Sequence, residues 1–504
     1  MIFVIPYALE IVNISQYNKI HLQHNAIVTK YTIANITKLV FTTRRRKTML
    51  IGFSVSNFRS FNSPQSISFK PSKIARHKKH VCEIAGKKVL KSAVIYGANA
   101  GGKSNLIKAI DFSRNIILNG VDSASLSKMN FRISSETFTI PGTFQYQLIA
   151  GEYEYSYGIA ISYSKSEIIS EWLVRIDKNK NEFVIFDRNV NEDKKSIVET
   201  DISAKQFKDS ERLRIYFEDF SENISDTLRK KTMLSDLATR GSHKDTILNE
   251  IVAVYEWFKK ILILFPESKY IRINDMANDS QRDFFRNVLQ YFDTGIDELK
   301  SQQRGMDLDK LFENIPHADA EQLKVQISNT AGQHPFDIRI DNQLVTLRKD
   351  ETGNIVYNKL MFDHGNPDDP FDLTDESDGT RRLFDFIPLL HEIGSNHVIL
   401  IDEIDRSLHT SLVRKFFEIF FEKTERNNSQ IIATTHDDNI MDLDLFRQDE
   451  IWFVERQPDH SSYLYSLNKY KARFDKKVNN DYLLGKYGAI PQFQKKQELE
   501  VING

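Results

Sequence analysis

Among 504 residues there is one cysteine, Cys82, so an intrachain disulfide framework is excluded and the usage fits a reducing, cytoplasmic compartment. One cysteine also cannot furnish a thiolate zinc set, and the pairs His77/His80 and His21/His24 lack acidic or cysteine companions, which reads as solvent-facing histidine. No apolar run reaches the ~18 residues that a membrane span needs, so no membrane partner is expected. Charge of one sign is missing as well. With 68 basic against 69 acidic residues, the net charge of −1 gives no global field toward nucleic acid or acidic lipid. The first 48 residues contain no glycine and only one acidic residue, Glu10, and they end in Arg44-Arg45-Arg46-Lys47-Thr48 before a second methionine, Met49. An export signal would place basic residues before its apolar stretch, whereas this segment is apolar from Met1 to Pro6. The reading is that Met49 is the functional start and that residues 1–48 are an over-extended reading frame.

What is present is ordinary globular composition, 40% hydrophobic and 27% charged, in a chain long enough for two or three domains. Its most informative stretch runs from Ser92 to Ile110. The apolar run Ser92-Ala93-Val94-Ile95-Tyr96 ends in Gly97-Ala98-Asn99-Ala100-Gly101-Gly102-Lys103-Ser104-Asn105, and a helical pattern follows to about Leu118. Gly97, Gly102, Lys103 and Ser104 match G-x-x-x-x-G-K-[ST], in which backbone N–H groups cradle phosphates, the lysine reaches the β and γ groups and the hydroxyl ligates Mg²⁺. Glycines leave no Cβ between the curled backbone and an anion, and the N-terminus of the next helix adds favourable potential. Gly97, Asn99, Gly101, Gly102, Lys103, Ser104 and Asn105 are therefore the candidate nucleotide contacts, with Ser104 also a candidate Mg²⁺ ligand.

Read in order, the pattern predicts an α/β fold. Alternation predicts strands over Leu50–Phe61, Gln65–Phe69, Lys88–Leu90, Phe144–Ile149, Glu152–Ser162 and Glu167–Asp187. Tyr146, Tyr153, Tyr155 and Tyr157 recur at even spacings, as one sheet face requires; stacking of bases on them is the alternative. The basic cluster Arg76-His77-Lys78-Lys79-His80 reads as a solvated loop. Between 201 and 320 apolar residues recur at three and four (Ile247, Ile251, Val254, Phe258; Phe284, Val288, Leu289, Phe292), which predicts an inserted helical subdomain without a long coiled-coil heptad run. Short strands return over Val325–Tyr357, and an acidic loop spans Asp363–Asp378. The predicted organisation is an extension (1–48), an N-terminal lobe (49–200), the insert (201–320), a C-terminal lobe (321–491) and a tail (492–504).

The apolar run Asn396–Ile401 ends in Asp402-Glu403, as in a buried parallel strand with a site at its C-terminal end. An aspartate there can hold Mg²⁺, and a neighbouring glutamate can orient the attacking water. A second run, Gln430–Thr435, ends in His436, placed to contact a γ-phosphate; a lone histidine there is more often structural. Glu403 and His436 are the candidate catalytic residues and Asp402 a candidate metal ligand.

The order of Asn57-Phe58-Arg59-Ser60-Phe61, the glycine-rich loop, Glu376-Ser377-Asp378-Gly379-Thr380-Arg381-Arg382, Asp402-Glu403-Ile404-Asp405-Arg406-Ser407-Leu408-His409 and Thr434-Thr435-His436 resembles an ABC-type ATPase head of the RecF, SMC and OLD-like group. More narrowly it resembles the ATPases of bacterial anti-phage and restriction-associated loci of the RloA, AriA and PtuA kind, as does Leu484-Gly485-Lys486-Tyr487-Gly488-Ala489-Ile490-Pro491. The resemblance spans Met49 to Pro491. It implies mixed sheets with flanking helices, and an ATP- and Mg²⁺-dependent ATPase whose heads sandwich nucleotide in a homodimer or higher oligomer. In such heads Ser377 and Gly379 of one copy complete the site around Lys103 of another, Arg59 is a nucleotide or sheet contact, and Asp405 lies in the loop coupling the two sites. The sequence departs from the group's signature at Glu376, in place of leucine, and at Asp378, in place of glycine, which bears on turnover. Only 68 residues follow His436 (504 − 436), too few for the nuclease domain of OLD-type proteins. The implied role is a sensor or regulator with a separate nuclease or toxin effector and a DNA or phage-protein trigger. The competing readings are a DNA-repair or chromosome-maintenance ATPase and a non-hydrolysing nucleotide-bound scaffold.

Overall fold

Three larger sheets, a two-stranded hairpin and two hydrophobic cores order the described residues. The computed structural model describes residues 48–191, 195–209, 211–221, 224–240, 246–267, 279–305, 336–340, 343–349, 355–470 and 477–491, together with 317, 320, 321, 324, 325 and 352. The extension before Thr48, with His21 and His24, and the tail from 492 lie outside the described residues.

The first sheet is antiparallel throughout, in the order β10-β9-β8-β7-β6-β1-β2. It comprises β1 (Thr48–Ser56), β2 (Gln65–Ser68), β6 (Gly142–Ala150), β7 (Tyr153–Ser162), β8 (Glu167–Ile176), β9 (Glu182–Val190) and β10 (Ser196–Glu199), while β3 (Val81–Ile84) and β4 (Lys87–Leu90) form a separate hairpin. The period-2 tyrosines behave as a sheet face should: Tyr146, Tyr155 and Tyr157 are buried with Phe53 and Phe144, and Tyr153 at the strand end is exposed. Beneath that face lies helix α1 (Lys103–Asn119), whose Leu106, Ile107, Ile110 and Ile117 are buried. The Ser113 hydroxyl of α1 meets Tyr146 Oη at 2.6 Å.

The second sheet, in the order β11-β17-β18-β5-β19-β20, holds the site. Its members are β5 (Ser92–Tyr96), β11 (Ile261–Leu264), β17 (Val398–Ile401), β18 (Gln430–Thr434), β19 (Ile451–Arg456) and β20 (Ser462–Ser466), parallel except for the β19–β20 hairpin. β5, β17 and β18 are buried at every residue, the reason their middles are apolar runs rather than alternations. Gln430, at the start of β18, joins the two sheets by bonding Leu50 N at 2.6 Å and Leu50 O and Leu90 O at 2.9 Å.

The expected insert contributes α2 (Ala204–Asp209), α3 (Glu211–Asp219), α4 (Asp226–Arg229), α5 (Met233–Arg240), α6 (Thr246–Lys259) and α7 (Asp279–Tyr291). One strand interrupts these helices and another follows them. Ile261–Leu264 continues the apolar spacing of α6 in sequence, yet it pairs in parallel with Val398–Ile401 as β11. β12 (Glu298–Gly305) pairs with β15 (Ile355–Asp363) in a third sheet with β13 (Phe336–Ile340), β14 (Gln343–Lys349) and β16 (Phe371–Asp372). Trp257 and Phe258 of α6 pack on Tyr146, at centroid distances of 5.9 and 4.9 Å, so α6 belongs to the first core.

Two helices complete the second core, α8 (Asp378–Glu392) and α9 (Thr410–Lys423), and α10 (Val478–Leu483) lies near the C-terminal end. In α9, Val413, Phe416, Phe417, Phe420 and Phe421 repeat at three and four and are buried. Among the described residues, no helix is long and apolar enough to cross a membrane.

The solvent-facing reading of His80 is corrected. His80 is buried, its Nδ1 lies 2.9 Å from Glu450 Oε2, and its ring stacks 3.5 Å from that of Phe421. A short helical turn over Lys78–His80 tucks this one residue of the basic cluster inward; His77 is half-buried against Leu443 O at 2.8 Å.

Candidate functional site

Parallel strands end together, so the loops after β5, β17 and β18 converge at one edge of the sheet. They carry Gly97–Ser104, Asp402–Asp405 and Thr435–His436 respectively.

The loop after β5 is shaped by contacts that exclude side chains. A Cβ on Gly97 would meet Val454 O at 2.3 Å, and one on Gly101 would meet Ala98 O and Val454 O at 3.0 Å. Gly102 has φ 109, and a Cβ there would lie 2.1 Å from Ser462 Oγ and 2.8 Å from Ser60 Oγ. The strand β19 and the residues Ser60 and Ser462 thus press the loop from outside, leaving room for glycine alone. Asn99 and Ala100 at the tip are exposed, and Ser104 and Asn105 are half-buried in the first turn of α1.

Lys103 opens α1 and turns back over the loop. Its Nζ donates to Gly97 O at 2.7 Å and lies 3.3 Å from Ala98 O and from His436 Nδ1. Burial pushes its pKa down to about 8, although Asp405, Asp402 and Glu403 pull the other way. Burial first, and then the Lys103 charge, also lower His436 below its ordinary value, so this imidazole is neutral near pH 7. A neutral His436 that accepts from Lys103 at Nδ1 carries its proton on Nε2.

Asp402 is buried, and its Oδ1 accepts from Thr434 Oγ1 at 2.6 Å. Among the described residues no cation pairs with it. Glu403 follows with φ 51, a left-handed conformation that costs a non-glycine residue ~1 kcal/mol or more. It is held there by Glu403 N to Thr434 Oγ1 at 2.8 Å and Ile404 N to Thr434 O at 3.0 Å. Asp405 accepts the N–H of His436 at 3.2 and 3.3 Å. Asp437 accepts from Thr410 Oγ1 at 2.5 Å, tying the His436 loop to the start of α9.

The residues fit a magnesium nucleotide. A buried carboxylate without a cation and a buried ammonium resting on carbonyls are each half of an ion pair, and the glycine cradle is a surface that phosphate oxygens can approach. Among the described residues no group of three His, Cys, Asp or Glu side chains could hold a metal by itself; Mg²⁺ commonly takes one or two carboxylates with substrate phosphates.

Of the expected residues, Gly97, Gly101, Gly102, Lys103, Asp402, Glu403 and His436 gather at this edge with Asp405. Ser377 and Gly379 stand elsewhere in their contacts. Exposed Ser377 caps α8 by accepting from Thr380 N at 3.0 Å, and a Cβ on Gly379 would touch Ser407 O at 3.0 Å. Arg59 has φ 50, donates its N–H to Met129 O at 2.7 Å and lies 5.8 Å over the Phe58 ring; its neighbour Ser60 makes the loop contact. Thr434, Ser60 and Ser462 are site residues that motif spacing does not single out. Ser60 and Thr434 carried a signal, by lying in the quoted stretches Asn57–Phe61 and Thr434–His436; Ser462 carried none.

No curated protein matches the sequence. Among solved structures, the crystal structure of the SmcHead bound to the C-winged helix domain of ScpA aligns at 14% identity and TM-score 0.32, covering 84% of this chain and 99% of that one. The SMC head domain from Thermotoga maritima aligns at 12% identity and TM-score 0.30, covering 83% and 98%. A family model described as "AAA domain, putative AbiEii toxin, Type IV TA system" matches residues 92–442, more than half of the chain and every site residue from β5 through His436. The chain belongs to this AAA domain family.

Proposed function

We propose that the protein binds ATP with Mg²⁺ and hydrolyses it as an ABC-type head, and that paired heads regulate a separate effector in a bacterial anti-phage system. The observation that carries the nucleotide reading is Lys103, a buried ammonium held by Gly97 O at the mouth of a glycine cradle, with Asp402-Glu403 and His436 at the same sheet edge. In this reading Lys103 releases Gly97 O to take the β- and γ-phosphates, and Ser104 and Asp402 hold Mg²⁺, which supplies charge neutralisation on the phosphates when bound. Glu403 orients the attacking water, and Nε2–H of neutral His436 donates toward the γ-phosphate. Exposed Ser377 at the N-terminus of α8 suits a surface that meets nucleotide on a second copy, where the helix end attracts the anion. The defence role rests on the order of motifs and on a family description that names a toxin. The lobes are proposed as 49–200 and 321–491, with 201–320 between them.

The test is a pair of variants of the full chain. Lys103→Ala is expected to abolish binding of a fluorescent ATP analogue. Glu403→Gln is expected to bind ATP, to hydrolyse it at least ~100-fold more slowly and to accumulate as a dimer, since its loss falls on the water and not on the phosphates. Normal turnover in both variants would refute the assignment.

A further inference from the structure

A phosphate loop needs its N–H groups inward, so its carbonyls point outward and each requires a donor. Four of these carbonyls have visible donors, Gly102 O among them from Asn105 N at 3.0 Å. Gly97 O takes Lys103 Nζ at 2.7 Å, Ala98 O takes Gly101 N at 3.1 Å, and Gly101 O takes Ser462 Oγ at 2.6 Å. When Lys103 moves to phosphate the bond to Gly97 O is lost, which leaves Ser462 as the side chain that fixes the loop from outside.

The Ser462 hydroxyl also lies 2.7 Å from Ser60 Oγ, and Ser60 Oγ lies 2.7 Å from Asn105 Nδ2. One hydroxyl has one hydrogen. Ser462 faces two acceptors with it, Ser60 Oγ at 2.7 Å and Gly101 O at 2.6 Å, and shares it between them. Ser60 Oγ accepts from both Ser462 and Asn105 Nδ2. The result is one linked cluster, in which Asn105 and Ser462 meet on Ser60 Oγ and Ser462 also reaches Gly101 O. It crosses the bare face of Gly102, where a Cβ would lie 2.1 Å from one of its hydroxyls and 2.8 Å from the other. Its backbone is also joined, by Ser462 N to Ser60 O at 2.7 Å. Ser462 is buried, so water does not readily replace it.

We infer that Ser60 and Ser462 are positioning residues of the nucleotide site: their hydroxyl cluster joins the segment after β1 and the β19–β20 hairpin to the phosphate loop and sets the loop before ATP arrives. This rests on the nucleotide reading above and extends it to two residues 402 positions apart. A loop held in its binding shape loses less freedom on binding, so breaking the cluster should weaken ATP binding.

The experiment uses the full chain, Mg²⁺ and a fluorescent ATP analogue with wild type, Ser60→Ala, Ser462→Ala and the double variant, alongside hydrogen exchange of peptides over residues 97–106 without nucleotide. Each single variant is expected to weaken binding about ten-fold, the usual scale for stranding one buried partner, and to speed exchange in the loop. Because both hydroxyls serve one cluster, the double variant should bind no worse than the weaker single. Losses that multiply in the double variant would overturn the cluster's role, as would unchanged exchange and affinity in Ser462→Ala. A wild type that binds no nucleotide, while Ser462→Ala still speeds loop exchange, would overturn the nucleotide reading and leave the cluster's role standing.

Discussion

The hydroxyl of Thr434 serves both carboxylate residues of the site at once, donating to Asp402 Oδ1 at 2.6 Å and accepting Glu403 N–H at 2.8 Å. β17 and β18 are neighbours in the sheet, so this one side chain fixes how the end of β17 turns.

Thr434→Val keeps shape and removes both bonds. It leaves Asp402 less anchored and Glu403 N–H without its acceptor, a cost of ~1–3 kcal/mol placed on a residue already at φ 51. ATP turnover should fall about ten-fold or more and its Mg²⁺ requirement should rise, whereas Thr434→Ser should stay near wild type. Turnover measured against Mg²⁺ concentration in the three proteins checks this.

Lys103 makes nucleotide affinity depend on pH. Its pKa of about 8 without nucleotide leaves it charged below that value and neutral above it, and phosphate requires the charged form. Above pH 8 binding must draw a proton from solution, so affinity should fall roughly ten-fold per unit, with proton uptake approaching one at pH 9 and near zero at pH 7. Calorimetry in two buffers of different ionisation enthalpy reads this uptake. Lys103→Arg, which stays charged, should show none.

The site was legible where its chemistry is local. The glycine loop is consecutive in sequence, and the ends of β17 and β18 announce themselves as apolar runs broken by polar residues. The hydroxyl contacts were not legible: Ser462 touches Ser60 across 402 positions and Thr434 touches Asp402 across 32, and serine or threonine carries no periodic signal. β11 was hidden for another reason. Its four apolar residues extend the helical spacing of α6, and only pairing with β17 makes them a strand. His80 followed the same logic, since a turn of one short helix decides which member of a charged cluster is buried.

Gly97→Ala tests the cradle itself. The added methyl would lie 2.3 Å from Val454 O, a backbone atom of β19, which pairs with β5 at Phe453 and Tyr96. Neither strand can yield cheaply, so the loop must move. Overpacking of this kind costs ~1–3 kcal/mol, and the displaced amides no longer converge on one anion. Binding of the ATP analogue should be lost with only a modest fall in melting temperature; retained affinity would show that the loop adapts.

Glu376, at the position of the expected signature leucine, is buried and lies 2.7 Å from His364 Nε2. The pair bridges the acidic loop, from just past the end of β15 to the residue before Ser377, which caps α8. His364 is braced in turn by the Phe371 ring at 4.8 Å. His364→Ala strands the Glu376 carboxylate and should let the Ser377–Gly379 turn drift, at a cost of ~1–3 kcal/mol. Since that turn is proposed to meet the partner's nucleotide and not its own, the loss should fall on association. In a Glu403→Gln background, sedimentation should show weaker ATP-dependent dimers for His364→Ala, while binding of the analogue to the monomer holds. Glu376→Leu removes the buried carboxylate along with its partner's role, so it should disturb dimerisation less than His364→Ala does.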